Sequence, residues 1–436
     1  MGLAPSAARS RAGLLTAAGI VLIAVNLRPA VATAAALLER LRAELGFGPL
    51  VASLVPALPT LCFAAVGATG AALARRAGTE RAVLLALAAL VAGLAVRAVP
   101  STGALLAGTV LSAAGLALCN VLLPALVKAH FPGRVALLTG VYTTVMALGS
   151  ALAAAVAVPV ADLAGGPSPG LAVWALPALL ALAVWALAPG SVRAGPEQER
   201  QRERRRGGTG PGPRDGAGEP GPQDGAAGPA AERGAGPAPE RAAVSAWAVG
   251  RTRFGLLVTA FFALQSLASY AVIGWLPTVL TDHGVPADRA GSLLGTALLV
   301  GVPAAFVLLP LTRSPARLRL AFCLVGAALT AGYLGLLYAP SAAAPLWAVL
   351  TGLGLCAFPL VLALIGTSGR SARETAALSS FAQSTGYLLA SAGPFGVGLL
   401  RSATGGWSAP LTLLLTLGVL QLLVGLALTS RWAAGR

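Results

Sequence analysis

Residues 14–38 read LLTAAGIVLIAVNLRPAVATAAALL. At 1.5 Å of rise per residue, a helix of this length crosses a bilayer core about 30 Å thick. Apart from two threonines the run is apolar except at Asn26 and Arg28, and Pro29 follows the arginine directly. Arg9 and Arg11 ahead of the run, and the small residues Ala32–Ala36 near its end, imitate a secretory leader. The Arg28-Pro29 interruption and the resumption of the apolar pattern to Leu38 argue instead for a retained first transmembrane helix.

The rest of the chain is built of the same material. Its 436 residues are 56% hydrophobic and only 11% charged, where a soluble domain carries about 25% charge. The mean hydropathy is +0.80. Further runs of spanning length lie near 50–73, 81–99, 103–127, 135–162 and 170–189. A second set follows near 254–281, 289–312, 317–338, 344–368, 374–400 and 407–430. The expected fold is all-α and integral to the membrane, twelve helices in two six-helix bundles.

A formal charge of +16 suggests a nucleic-acid binder, because a basic balance is the usual electrostatic footprint of one. The cations are spread singly between apolar runs, however, and form no continuous basic face. They report orientation instead, since loops rich in Arg and Lys stay on the cytoplasmic side. Arg75, Arg76, Arg81, Lys128, Arg134, Arg313, Arg317, Arg319, Arg370 and Arg373 fall on one side; Arg40, Arg42, Arg97, Arg289 and Arg401 fall on the other. Both termini are expected in the cytoplasm, in the plasma membrane, with the bilayer as partner, no nucleic acid and a monomeric chain.

Residues 190–250 break the pattern. Up to Ser245 they mix arginines and acids with Gly and Pro and hold almost no large apolar side chain. Such a segment buries too little to offset its ordering entropy and reads as a disordered cytoplasmic linker. The domains are therefore expected at 1–189 and 251–436. At an offset of 237 residues, Gly115-Leu116-Ala117-Leu118-Cys119 falls on Gly352-Leu353-Gly354-Leu355-Cys356, Gly149 on Gly386 and Arg76 on Arg313. Two parallel halves joined by an inner linker are the plan of a rocking secondary transporter with its site at the midplane.

Polar groups within hydrocarbon mark candidate sites. Arg28 lies about 20 Å along the first span, and its planar fork suits a carboxylate-like anion. Asn26 accompanies it, and the 237-residue offset pairs Arg28 with Gln265, near Tyr270. Asn120, Gln383 and Tyr387 complete the substrate-binding candidates, the last two sharing a helical face. Tyr142, Thr143 and Thr144 are further polar positions on the fifth span. Arg76, Lys128 and Arg313, at inner helix ends, are the candidate gating cations. All seven acids outside the linker stand at or near helix ends, so a cationic substrate lacks a counter-charge at the midplane.

Cys62, Cys119, Cys323 and Cys356 sit in apolar runs without metal-ligand spacing and read as small core residues. There is no H-E-x-x-H and no D-x-x-D, so neither an enzyme nor a cofactor is expected.

Several segments carry a family resemblance: Asn26-Leu27-Arg28-Pro29-Ala30; Asn120-Val121-Leu122-Leu123-Pro124-Ala125-Leu126-Val127-Lys128; Leu264-Gln265-Ser266 leading to Trp275-Leu276-Pro277; and Ala382-Gln383 with Gly386-Tyr387 and Gly393-Pro394. The chain resembles the major facilitator superfamily, and within it the cyanate/2-nitroimidazole transporters. The superfamily's loop signature is partial: Arg76-Ala77-Gly78 with Glu80-Arg81 fits, but Arg75 stands where an acid is usual. The resemblance implies alternating access and a small anionic or weakly polar solute. A cyanate-like or small organic anion leads. Export of neutral or aromatic compounds, with Trp275, Tyr270 and Tyr387 stacking on them, is the alternative.

Overall fold

The computed structural model describes residues 5–131, 134–188, 246–368 and 372–434. Among these residues the chain is helical throughout and without strands. The first bundle comprises α1 (Pro5–Asn26), α2 (Pro29–Ala36), α3 (Leu38–Leu45), α4 (Pro49–Ala77), α5 (Thr79–Val96), α6 (Thr102–His130), α7 (Val135–Leu163), α8 (Pro167–Ala172) and α9 (Ala175–Leu187). The second comprises α10 (Ala246–Gly250), α11 (Arg253–Asp282), α12 (Ala287–Leu308), a 3-10 turn (Leu309–Arg313), α13 (Pro315–Tyr338), α14 (Ala344–Leu355), α15 (Ala357–Ser368), α16 (Ala372–Ala390), α17 (Ala392–Thr404) and α18 (Ser408–Ala434).

Eleven segments are long and apolar enough to cross a membrane. Three of them, Gly13–Ala36, Pro167–Leu187 and Ala344–Gly366, are pairs of helices with a break inside. The twelfth expected span, near 374–400, is present as α16 and α17. It is too polar and too interrupted to qualify by composition, because Ser379, Ser380, Gln383 and Ser384 lie along α16 and the helix stops at Ser391. Pro394 three residues on disfavours continuation, since its ring clashes with the carbonyl four residues earlier. The expected linker lies outside the described residues except at its end, where Ala246–Gly250 form α10 rather than coil. Trp247 there meets Phe381 edge-on at 5.6 Å between ring centroids.

Pro29 causes the break in the first span. Without an N–H it leaves the Val25 carbonyl without its helical donor, and α1 ends at Asn26. Proline then opens α2 at the one position where a missing N–H costs nothing. A Cβ on Gly149 of α7 would lie 2.7 Å from that Val25 oxygen, so only glycine admits the approach. The internal repeat places the same contact in the second bundle. There Gly386 packs against Phe262, the residues 237 positions after Gly149 and Val25, and an added Cβ would lie 2.5 Å from the Phe262 ring.

The bundles meet most closely at the end away from the chain termini. Cβ atoms on Gly291 and Gly295 of α12 would fall 2.8 and 2.5 Å from the Ala154 and Ala151 carbonyl oxygens of α7. Gly274 of α11 leaves equally little room against Pro56 of α4, at 2.6 Å. Small residues are the usual means of close helix approach where lipid removes the hydrophobic drive. Glu39 of α3 adds a polar tie across this end. Its carboxylate lies 3.8 Å from the Arg401 guanidinium, which also pairs with Asp282 and covers the Trp407 ring at 4.9 Å.

Gly295→Leu forces α7 and α12 apart at this seam. Overpacking of this kind costs about 1–3 kcal/mol, and the expected outcome is a lowered unfolding temperature in detergent. Leu at Gly396, which has open space around it, leaves that temperature unchanged.

Candidate functional site

A cavity of about 200 Å³ lies between the bundles. Sites for drug-sized ligands run to roughly 300–1,000 Å³, so this one suits a small solute. It lies directly beneath the sealed end: Ser150 and Ile273 line it, while their chain neighbours Ala151 and Gly274 belong to the seams. On the opposite side the lining residue Thr143 is exposed.

Arg28 enters this cavity because the helix break turns it there. It caps α2 with φ −128° and ψ −21°, outside helical geometry, and its carbonyl accepts from Val31 and Ala32 at 3.1 Å each. Its side chain is half-buried. It is the one charged residue of the lining, and it has no ion pair among the described residues. Neutral donors and acceptors come from Asn120 of α6, Thr143 and Ser150 of α7 and Gln383 of α16. The Gln383 amide also donates to the Ser379 hydroxyl at 2.7 Å.

Aromatic rings form the remaining wall. Tyr387 lies 5.5 Å from Phe63 and 6.3 Å from Tyr270, and Phe262 backs it edge-on at 5.2 Å. Phe63 and Tyr270 are 6.3 Å apart. These spacings suit offset and edge-to-face ring packing, which fixes side chains beyond what burial alone does. Arg28 is within electrostatic reach of both tyrosine hydroxyls.

Arg28, Asn120, Tyr270, Gln383 and Tyr387 thus share one cavity, and both bundles contribute. Asn26 and Gln265 do not line it. Two residues before Arg28, Asn26 at the end of α1 donates its amide to the Leu22 carbonyl of its own helix at 2.8 Å and to the Pro177 carbonyl of α9 at 3.1 Å. Gln265 is fully buried inside the second bundle. Its amide donates to the Ser269 hydroxyl and the Leu355 carbonyl, and its carbonyl accepts from Gln421 at 2.7 Å. The expected pairing of Arg28 with Gln265 across the site is therefore replaced by Arg28 facing Tyr270, one turn and a residue further along α11.

Trp275 is likewise withdrawn from any ligand. It is buried, donates to the Pro394 carbonyl at 2.8 Å and packs on Trp407. Arg76 and Lys128 are exposed at the end bearing the termini, and the side chain of Arg313 lies outside the described residues. Sequence reasoning missed Phe63, Phe358 and Met146, since an apolar residue in an apolar helix carries no mark of the face it occupies, and it missed Ser150, a small hydroxyl at the end of the Gly149-Ser150 pair. It also placed Arg97 in an outer loop, whereas the side chain is only 2% exposed. No group of His, Cys, Asp and Glu able to hold a metal occurs among the described residues.

The family model for the Major Facilitator Superfamily matches residues 14–394. A 2-nitroimidazole transporter of Escherichia coli (strain K12) is 34% identical over 417 residues, covering 94% of each chain. A cyanate transport protein, CynX, of the same organism is 27% identical over 392 residues, covering 89% of this chain and 90% of that one. Among solved structures, an inward-facing, unoccupied bacterial homologue of the human lysosomal transporter Spinster superposes with a TM-score of 0.68. It is 14% identical and covers 98% of this chain and 97% of that one. The nucleoside transporter NupG gives a TM-score of 0.68 at 11% identity, covering 96% and 98%.

Replacing Gln265 by Leu separates a structural from a ligand-binding amide. The substitution orphans the buried Gln421 amide, which costs about 1–3 kcal/mol. The expected outcome is a lower melting temperature with solute affinity unchanged, read by thermal shift with and without sodium formate.

Proposed function

The chain belongs to the major facilitator superfamily, and we propose that it is a secondary transporter that carries a small anion, cyanate-like or a small carboxylate, by alternating access. One observation carries the reading: among the described residues, a single arginine without an ion pair stands in a cavity whose lining holds no carboxylate. A guanidinium so placed attracts an anion and repels a cation, and its planar fork binds a planar carboxylate through two parallel hydrogen bonds. Asn120, Thr143 and Gln383 supply neutral hydrogen bonds from both bundles. Relatives named as carriers of cyanate and of 2-nitroimidazole support the size class. The work done is translocation, with no bond made or broken.

Movement follows from the asymmetry of the two ends. Closure away from the termini rests on helix seams and on Glu39–Arg401. That pair is partly exposed and worth little alone, about 0.2–1 kcal/mol, which suits a contact that must break in every cycle. Arg76, Lys128 and Arg313 stand at the other end as cations for the complementary closure. Both termini and the linker lie on the cytoplasmic side in this reading, with domains at 1–189 and 251–436 in the plasma membrane. Arg401→Ala shifts the equilibrium toward opening of the far end. A cysteine at Gly291 then reacts several-fold faster with a membrane-impermeant thiol reagent added from outside, and an unchanged rate rejects the gate.

The aromatic wall favours a second reading, a neutral nitroaromatic solute stacked against Tyr270, Tyr387 and Phe63. Proteoliposome flux distinguishes the two. For a small anion, Arg28→Ala lowers cyanate or formate uptake at least tenfold, with protein yield and melting temperature unchanged. For a nitroaromatic, Arg28→Ala is mild and Tyr387→Ala abolishes 2-nitroimidazole flux. Undiminished anion uptake by Arg28→Ala rejects the leading reading.

A further inference from the structure

A second cation is buried beside the first, and nothing above uses it. Arg97 caps the far end of α5. Its guanidinium donates one N–H to the Ala30 carbonyl at 2.9 Å and another to the Thr109 hydroxyl at 3.0 Å. Both acceptors are neutral. No ion pair reaches it among the described residues, and its buried Nε has no hydrogen-bond partner. A charge removed from water without a counter-ion is costly, and within a membrane protein it marks a site of function by default.

Its surroundings are those of a sealed passage. Arg97 lines a void of about 10 Å³ together with Pro56, Pro59, Thr109, Tyr270 and Gly274. That is room for at most one water. Tyr270 and Val31 line both this void and the Arg28 cavity, so the two are neighbours through a shared wall. The Gly274–Pro56 contact, where an added Cβ would come within 2.6 Å, belongs to the void's wall and joins the two bundles. Parting that contact widens the void from the side away from the termini and uncovers the guanidinium.

We propose that Arg97 is a second anion-binding station, occupied by a small monovalent anion when the Gly274–Pro56 seam separates and closed off when it reforms. This rests on the anion reading of the Arg28 cavity for the solute's route, while the station itself stands on the unpaired guanidinium. An anion there supplies the missing counter-charge on Nε while Ala30 and Thr109 keep the other edge, so the fork need not turn. Arg28 and Arg97 then hold the solute in sequence along one path.

The test uses the purified full-length chain in detergent, titrated with sodium bromide against sodium gluconate at fixed ionic strength, with melting temperature as the readout. Wild type, Arg28→Gln, Arg97→Gln and Arg97→Lys are compared, each with and without Arg401→Ala, which loosens the seal. Arg97→Lys keeps a buried cation if Arg97→Gln fails to fold. The expected result is that bromide stabilises Arg28→Gln measurably but less than wild type, and does so more strongly with Arg401→Ala. Half-saturating bromide rises at least tenfold in Arg97→Gln and several-fold in Arg97→Lys. Arg97 variants that match wild type in both backgrounds overturn the station and leave the Arg28 reading standing. A response untouched by Arg28→Gln but lost in Arg97→Gln keeps the station and overturns the Arg28 reading. Absence of any bromide response in every chain overturns the station.

Discussion

The missing N–H of Pro29 is the constraint on which this molecule turns. In hydrocarbon each backbone polar group needs a partner within the protein, so a broken first helix is tolerated only where other residues meet the ends it frees. The Val25 carbonyl lies against Gly149 of α7, close enough to exclude any side chain there. The Ala30 carbonyl takes a hydrogen bond from Arg97, and the Arg28 carbonyl takes two from the first turn of α2. Those contacts fix α1, α2, α5 and α7 relative to one another. They also hold Arg28 outside helical geometry with its side chain in the cavity. One residue type at one position therefore sets both the packing of the first bundle and the charge of the site.

The seams show how such a structure is closed at one end without becoming rigid. Gly291, Gly295 and Gly274 bring helices of opposite bundles nearly backbone to backbone. Contacts of that kind gain dispersion over a long face yet interlock no side chains, so separation strains nothing. The charged tie at Glu39, Arg401 and Asp282 is partly exposed and is screened accordingly. Apolar burial is deep inside each bundle, where Trp185, Phe261, Phe262 and Phe322 are fully covered. Contact between the bundles is extensive, α7 against α12 above all, so any parting of the two bodies relies on smooth backbone faces rather than on a small contact area.

Much of this was legible in the sequence, for a physical reason. Hydrocarbon admits so few polar groups that length and composition alone mark the spans, and Asn26-Leu27-Arg28-Pro29 marks the break within the first. The internal repeat was equally legible, and Gly149 and Gly386 perform the same packing task in their bundles. Direction around a helix was not legible. Asn26 and Arg28 are two residues apart and face different neighbours, and Gln265 looked like a ligand group until Gln421, 156 residues away, proved to be its partner. Arg97 misled for the opposite reason: a cation at a helix end reads as a loop charge unless the helices that bury it are known. Phe63 and Phe358 gave no signal at all.

The two solutes proposed for the cavity differ less than their names suggest. A small carboxylate offers delocalised negative charge in a planar two-oxygen group, cyanate offers it along a linear one, and a nitro group shares the carboxylate's oxygen geometry with partial charge. Either places its oxygens toward Arg28, where a guanidinium is the complementary plane, and presents a face toward Tyr387 and Phe63. What separates them is the balance between fork and wall. An anion pays for desolvation and recovers it at Arg28, because the cavity's other polar groups are neutral and few. A nitroaromatic costs less to desolvate and gains chiefly from ring contact, worth roughly 0.5–1.5 kcal/mol per pair beyond burial. Within about 200 Å³ a solute large enough to fill the aromatic wall leaves little room for water around Arg28. A small anion leaves that room. In the proposed reading the size of the cavity therefore weighs on selectivity as much as its charge does.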